Sequence, residues 1–170
     1  FNIERFNNIE NLNEAVAKKI SDSRIVGWFQ DRIEFGARAL GNRSILANPC
    51  NPKIKGIINK KIKRRESFRP FAPAIIGEKK KEWFGNRINN PYMSVVELII
   101  QKKQKKILAV AHIDGTGRVQ TVSKKTNINF YSIIKKFEKL SGVPIILNTS
   151  FNENEPIVMD FKDAINCFLR

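Results

Sequence analysis

Short apolar runs alternate along this chain with stretches of helical period, and that alternation restricts it to an α/β fold. Arg24 to Gln30 (R-I-V-G-W-F-Q), Ser44 to Ala47, Ala74 to Ile76, Val119 to Val122 and Val143 to Leu147 read as strands. Ala15, Val16 and Ile20 give Leu12 to Ser21 one apolar face, with Asn11 or Asn13 as its cap. Ile54, Ile57, Ile58 and Ile62 predict a helix from Pro52 to Arg64, opened by a proline in its first turn. Glu78 to Phe84 predicts a short helix. Phe130, Ile133, Ile134 and Phe137 predict a longer one from Asn129 to Leu140, closed by Gly142. The last helix runs from a cap at Asp160 to Arg170. Met93 to Ile100 and Ile107 to Ile113 read as paired strands joined by the lysine-rich loop Gln101 to Lys106, and such a hairpin makes the sheet mixed rather than purely parallel.

Between these elements lie turns with unusual cations. The segment F-G-A-R-A-L-G-N-R-S (35–44) sets Arg38 and Arg43 among glycines, and it follows a strand end, where ligands of open α/β sheets bind. Glycine lets backbone N–H groups approach a ligand, and the guanidinium fork matches phosphate and carboxylate oxygens. In E-S-F-R-P-F-A-P (66–73) two prolines exclude a helix interior and a central strand and leave a rigid extended segment that holds Arg69 between aromatic rings. D-G-T-G-R (114–118) brings Arg118 to a third turn, Asn148-Thr149-Ser150 adds neutral polar groups at a fourth, and Lys63 stands at a helix end. If they converge, they form a pocket suited to polyphosphate and to charge stabilisation in phosphoryl or nucleotidyl transfer. The chain has no G-x-x-x-x-G-K-[ST] loop and no G-x-G-x-x-G after its first strand. His112, the one histidine, reads either as a ligand-orienting or acid–base group or as a hydrogen-bonded residue at a strand end. Neither cysteine has a basic neighbour in sequence and Ser150 has no base beside it, so no nucleophile is assigned.

The 170 residues suffice for one domain with a proper core. No apolar run approaches the roughly 20 residues needed to span a bilayer, which predicts no membrane segment. The opening F-N-I-E-R-F has neither Met nor a signal-peptide pattern, and the reading is a piece of a longer protein. Cys50 and Cys167 are far apart with no C-x-x-C, which predicts a reducing, cytoplasmic setting without structural zinc. The net charge of +15 implies a polyanionic partner, although the lysine pairs and triplets are mostly solvated faces.

Four blocks carry a resemblance: G-W-F-Q-D-R-I-E-F-G-A-R-A-L-G-N-R-S-I-L-A (27–47), R-E-S-F-R-P-F-A-P (65–73), H-I-D-G-T-G-R-V-Q-T-V (112–122) and V-P-I-I-L-N-T-S-F-N-E-N-E-P-I-V (143–158). They resemble the C-terminal domain of the NodU/CmcH-type O-carbamoyltransferases, over residues 24–170. Residues 1–23 carry no motif and read as an N-terminal helix and linker toward another domain. The resemblance implies a YrdC/Sua5-like fold, a twisted mixed β-sheet flanked by helices. It implies ATP and carbamoyl phosphate as substrates, with Mg2+, and carbamoyl-adenylate as product. A separate N-terminal Kae1-like domain, with a histidine-bound iron, would then move the carbamoyl group to a hydroxyl acceptor; no metal ligand is assigned in this chain. The residues that match the family's phosphate- and adenylate-handling positions are Arg38, Lys63, Arg69 and Arg118, the catalytic set, with Asn148 and Ser150 completing the substrate- and nucleotide-binding set. Ala37 stands where the family often has proline, and Asn152-Glu153-Asn154 replaces a longer, glycine-bearing turn. The alternative function is a basic, YrdC-like module that binds nucleic acid, RNA in particular.

Overall fold

The computed structural model describes residues 2–170. The first helix, α1 (Ile9–Ser21), starts one turn earlier than its apolar face indicates. Asn8 is the cap, its side-chain oxygen accepting from the Asn11 N–H at 2.8 Å, while Asn13 lies buried inside the helix. Val16, Ala17 and Ile20 of α1 share one buried cluster with Phe130, Ile133, Ile134 and Phe137 of α5 (Ile128–Ser141), and Lys136 ties the two helices on the outside by reaching Glu10 at 3.1 Å.

Five strands form the main sheet, β1 (Val26–Phe29), β2 (Arg43–Ala47), β3 (Ala72–Ile76), β6 (Gln120–Val122) and β7 (Ile145–Ser150), in the order β1-β2-β7-β3-β6. β7 is the centre, antiparallel to both β2 and β3, while β3 and β6 run parallel. The sheet is therefore mixed and flanked by helices, an α/β fold. β2 and β3 are buried along their whole length, as expected of strands covered on both faces. β3 includes Pro73 and lies between β7 and β6, so the prolines of 66–73 do not exclude a central strand: Pro73 sits beyond the parallel register with β6, which begins at Ala74.

The helix expected from Pro52 to Arg64 is shorter and irregular. α2 (Ile54–Ile57) passes into a π-helical turn (Ile58–Ile62) that ends just before Lys63. A 3-10 turn (Gly77–Lys79) leads into α3 (Lys80–Phe84), and the chain closes with α6 (Phe161–Leu169), capped by Asp160 as its sequence indicates.

The hairpin expected over residues 93–113 does not form. Only β4 (Glu97–Leu98) is a strand there, and it pairs with β5 (Thr116–Gly117); Gln101–Gln104, expected as a loop, is a short helix, α4. Ile107, Ala109 and Val110 are buried by local turns, Val110 N–H bonding back to the Ile107 carbonyl at 3.0 Å, rather than by alternating strand faces. A buried cation fixes the segment instead: Lys80, fully enclosed, donates to Glu97 Oε1 at 2.7 Å, to Asn86 Oδ1 at 2.9 Å and to the Ile88 carbonyl. A short apolar run reads alike whether it lies in a strand or in a buried loop, so this difference is not visible in the pattern.

Candidate anion-binding site

Alternation along β7 puts Asn148 and Ser150 on one face of the sheet, and the register sets Asn148 opposite Ala72 and Ala74 opposite Gln120. The two alanines are too short to separate the amides on either side. Asn148 Nδ2 donates to Gln120 Oε1 at 2.8 Å and to the Ala39 carbonyl at 3.0 Å, and Gln120 Nε2 donates to the Leu40 carbonyl at 2.7 Å. Two strand amides thus grip the backbone of the glycine-arginine loop just after Arg38. Glu34 supports the same loop, its Oε1 accepting from Leu40 N–H at 2.6 Å and from Asn42 N–H at 2.7 Å. Gly41 sits at φ +116°, and a Cβ there would stand 2.4 Å from Phe130 Cδ1, so only glycine fits against α5 at this turn.

The two arginines of the loop have different environments. Arg38 is exposed. Arg43 is buried on β2, where its Nη1 donates to the Gln30 carbonyl at 2.5 Å and to the Asn42 carbonyl at 3.0 Å, and its Nη2 to Asp31 at 3.0 Å and Met159 at 3.3 Å. Its guanidinium carbon stacks 3.7 Å from the centre of the Phe29 ring. Arg43 braces backbone, and Arg38 is left for solvent or ligand.

Arg38 does not stand alone. Burial pushes the Arg118 guanidinium below its ordinary value, and the nearby charges of Arg38 and Arg65 push it the same way. The Arg118 Nε is buried without a hydrogen-bond partner. Arg65 is lowered by burial and then by Arg69, with Glu66 opposing. It donates from Nε to Asn59 Oδ1 at 2.8 Å and lies 5.2 Å from the centre of the Phe71 ring. Asn59 stands in the π-helical turn, buried, and donates to the Ser67 carbonyl at 3.2 Å and the Arg69 carbonyl at 2.9 Å. That irregular turn therefore organises the whole 65–69 loop, a use of π-turns common at functional sites. Arg69 itself is exposed and pairs with Glu66 at 2.9 Å.

Lys63 follows the same turn and points inward, at 2% exposure. Its Nζ donates to the Ser150 carbonyl at 2.5 Å and to the carbonyl and Oδ1 of Asn152, both at 2.7 Å, with Ser150 Oγ at 3.3 Å. Burial, assisted by Arg65, lowers the ammonium to about 7. Ser150 Oγ donates to Asn152 Oδ1 at 2.7 Å. Lys63, Arg65, Arg69, Ser150 and Asn152 line one pocket of about 370 Å3.

Of the residues selected from sequence, Lys63, Arg69 and Ser150 share this pocket, Arg38 and Arg118 lie within each other's electrostatic reach, and Arg65 links the two groups. Asn148 faces the loop backbone, with its Oδ1 buried and unpartnered. Sequence reasoning passed over Arg65, Asn59 and Gln120. Gln120 could have been found as a polar residue in the run Val119 to Val122 that reads as a buried strand. Like charges gathered against burial and against one another make this cluster a candidate site for anions. Among the described residues, no three His, Cys, Asp or Glu side chains cluster as metal ligands, and no helix is long and apolar enough to cross a membrane.

Over 164 residues the chain is 45% identical to nodulation protein NolNO of Sinorhizobium fredii, a match covering 94% of this chain and 24% of that protein. Nodulation protein NolO of Bradyrhizobium diazoefficiens is 45% identical over 165 residues, 94% of this chain and 30% of the relative. Nodulation protein U of Sinorhizobium fredii is 37% identical over 137 residues, 81% of this chain and 24% of the relative. The chain thus spans less than a third of the length of these relatives. Residues 17–170 match the family described as carbamoyltransferase C-terminus, and the chain belongs to that family.

Proposed function

We propose that this domain binds ATP and carbamoyl phosphate and joins them as carbamoyl-adenylate, the activated donor for an O-carbamoyl transfer. The observation that carries this reading is the set of cations Arg38, Arg118, Arg65, Arg69 and Lys63, each within electrostatic reach of another, with Lys63, Arg65 and Arg69 lining one pocket. A substrate pair with several phosphate charges removes their mutual repulsion, and no small neutral ligand would. Water cleaves carbamoyl phosphate to carbamate and phosphate. A carbamate oxygen then bonds to the α-phosphorus of ATP as the bond to the β-phosphate oxygen breaks and pyrophosphate leaves. Arg118 and Arg38 balance charge at the reacting phosphates, Arg69 and Arg65 hold the outer ones, and Lys63 fixes the Ser150–Asn152 turn against them.

Glu66, Glu153 and Glu155, the carboxylates at the pocket, pair with Arg69, Arg64 and Arg170 at 2.9 Å in each case, and so form no ligand set for Mg2+. A magnesium ion would arrive on the nucleotide phosphates. The transfer to a hydroxyl acceptor falls to a Kae1-like, iron-holding N-terminal domain, a partner supported by the greater length of the relatives. Pyrophosphate exchange into ATP tests the reading: exchange that requires carbamoyl phosphate is expected, and a folded domain that binds neither substrate overturns it.

A second reading rests on the net charge of +15. A nucleic-acid module would bind RNA with an affinity that falls steeply with salt. The absence of an RNA mobility shift at low salt overturns it.

A further inference from the structure

One polar constellation lies next to the cations and has no part in the chemistry above. His112, Asp114 and Thr116 form a chain at the start of β5. Thr116 Oγ1 lies 2.7 Å from Asp114 Oδ1 and 2.9 Å from His112 Nδ1. Hydrogen bonds from the Thr116 hydroxyl and backbone N–H hold the Asp114 carboxyl below its ordinary value, so it is an acceptor at neutral pH. A hydroxyl has one proton, and this one goes to Asp114. Thr116 can therefore only accept from His112, which makes Nδ1 the protonated nitrogen of the ring. The neutral ring must then carry its lone pair on Nε2. Nε2 has no hydrogen-bond partner among the described residues and is open to solvent.

The ring stays neutral near pH 7. Burial lowers it first, Lys55 and Arg118 add to this, and Asp114 opposes. The turn brings His112 back onto Thr116, whose carbonyl accepts from the His112 N–H at 2.8 Å, and Arg118 follows directly after β5. His112 lies within electrostatic reach of Arg118, whose Nε is buried and unpartnered.

A lone pair is the wrong group to aim at a bare phosphate, which is itself rich in lone pairs. It suits a ligand that joins anionic oxygens to an N–H donor. We propose that His112 determines specificity at this site: its Nε2 accepts a hydrogen bond from the NH2 of the carbamoyl group while Arg118 holds the neighbouring oxygens. This rests on the reading of the domain as a carbamoyl phosphate site. Acetyl phosphate has the same shape with CH3 in place of NH2, and a site built to pair an N–H discriminates against such an analogue.

Calorimetric titration with the two acyl phosphates tests the assignment. The wild-type domain binds carbamoyl phosphate about tenfold more tightly than acetyl phosphate, the worth of one hydrogen bond. His112→Phe keeps a ring and loses the acceptor, so it abolishes the preference by weakening carbamoyl phosphate alone. His112→Gln, whose amide oxygen stands close to the Nε2 position, retains the preference. Thr116→Val frees the tautomer and reduces the preference without touching the ring, which keeps the test open should His112→Phe fail to fold. Equal affinity of the wild type for both ligands, equal loss of both in folded His112→Phe, or an undiminished preference in Thr116→Val overturns the assignment. A wild-type domain that binds neither ligand instead overturns the carbamoyl phosphate reading beneath it.

Discussion

Lys63 and Ser150, 87 residues apart in the chain, are joined by a 2.5 Å hydrogen bond from the lysine Nζ to the serine carbonyl. The bond fastens the end of the central strand to the loop that carries Arg65 and Arg69. It also encloses the ammonium, and that has a consequence for stability. Folded Lys63 releases its proton near 7, whereas an unfolded lysine holds its proton to about 10.5. Between those values the unfolded chain binds more protons than the folded one, so stability rises with pH across the window. Urea unfolding from pH 7 to pH 9 should show the wild type gaining on Lys63→Met, which lacks the titration. Parallel profiles for the two proteins would remove the shift.

Arg118 should separate binding from stability. Its charge is opposed by burial, Arg38 and Arg65, and its Nε is unpartnered, so the folded domain gains little from it. Arg118→Ala is expected to leave the melting temperature unchanged or raised, while anion binding falls by about 1.5–3 kcal/mol, the worth of a charged hydrogen bond. Calorimetric titration with carbamoyl phosphate and a thermal scan check the two halves. A melting temperature that drops with no change in binding would make Arg118 structural.

Arg43 should behave in the opposite way. Its guanidinium bonds four backbone carbonyls, those of Gln30, Asp31, Asn42 and Met159, from a buried position. Truncation strands those oxygens, and Arg43→Ala is expected to lose about 2–4 kcal/mol in denaturant unfolding. Arg43→Lys should recover only a part, because three donors on a point charge cannot replace a planar fork over Phe29.

Gly41 is a second, independent test of the glycine-arginine loop. A methyl group at this residue meets Phe130 Cδ1 at 2.4 Å and Cγ at 2.9 Å, on a backbone already at φ +116°. Gly41→Ala should therefore cost more than about 2 kcal/mol in urea unfolding and should weaken anion binding together with it, since the loop holds Arg38. A loss below about 0.5 kcal/mol would mean that the turn yields without strain.

The segments most legible from sequence were those whose chemistry is local. The apolar part of β7 was legible as a strand ending at Leu147, although Asn148-Thr149-Ser150, expected as a turn, continue the strand, and α5 was legible as four apolar residues on one face. Arg38, Arg69 and Arg118 stood out because glycine and proline around them left few conformations. Arg65 did not stand out, because it ends a lysine-rich stretch that reads as a solvated helix tip. Its place depends on Asn59, and Asn59 is inward only because the helix widens into a π-turn, which has no signature in the pattern. The false hairpin over 93–113 has the same origin: burial of Lys80 against Glu97, a contact across 17 residues, decides the path of that segment.

By itself, then, the sequence determined the α/β class and the turns that carry arginine. These follow from side-chain period and from the dihedrals of single residues. The tertiary structure alone decided which cations act together and which nitrogen of His112 carries its proton. The reason is physical: charge repulsion, desolvation and hydrogen-bond direction depend on distances through space, and the chain brings Asn148 to Ala39 across 109 residues to set them.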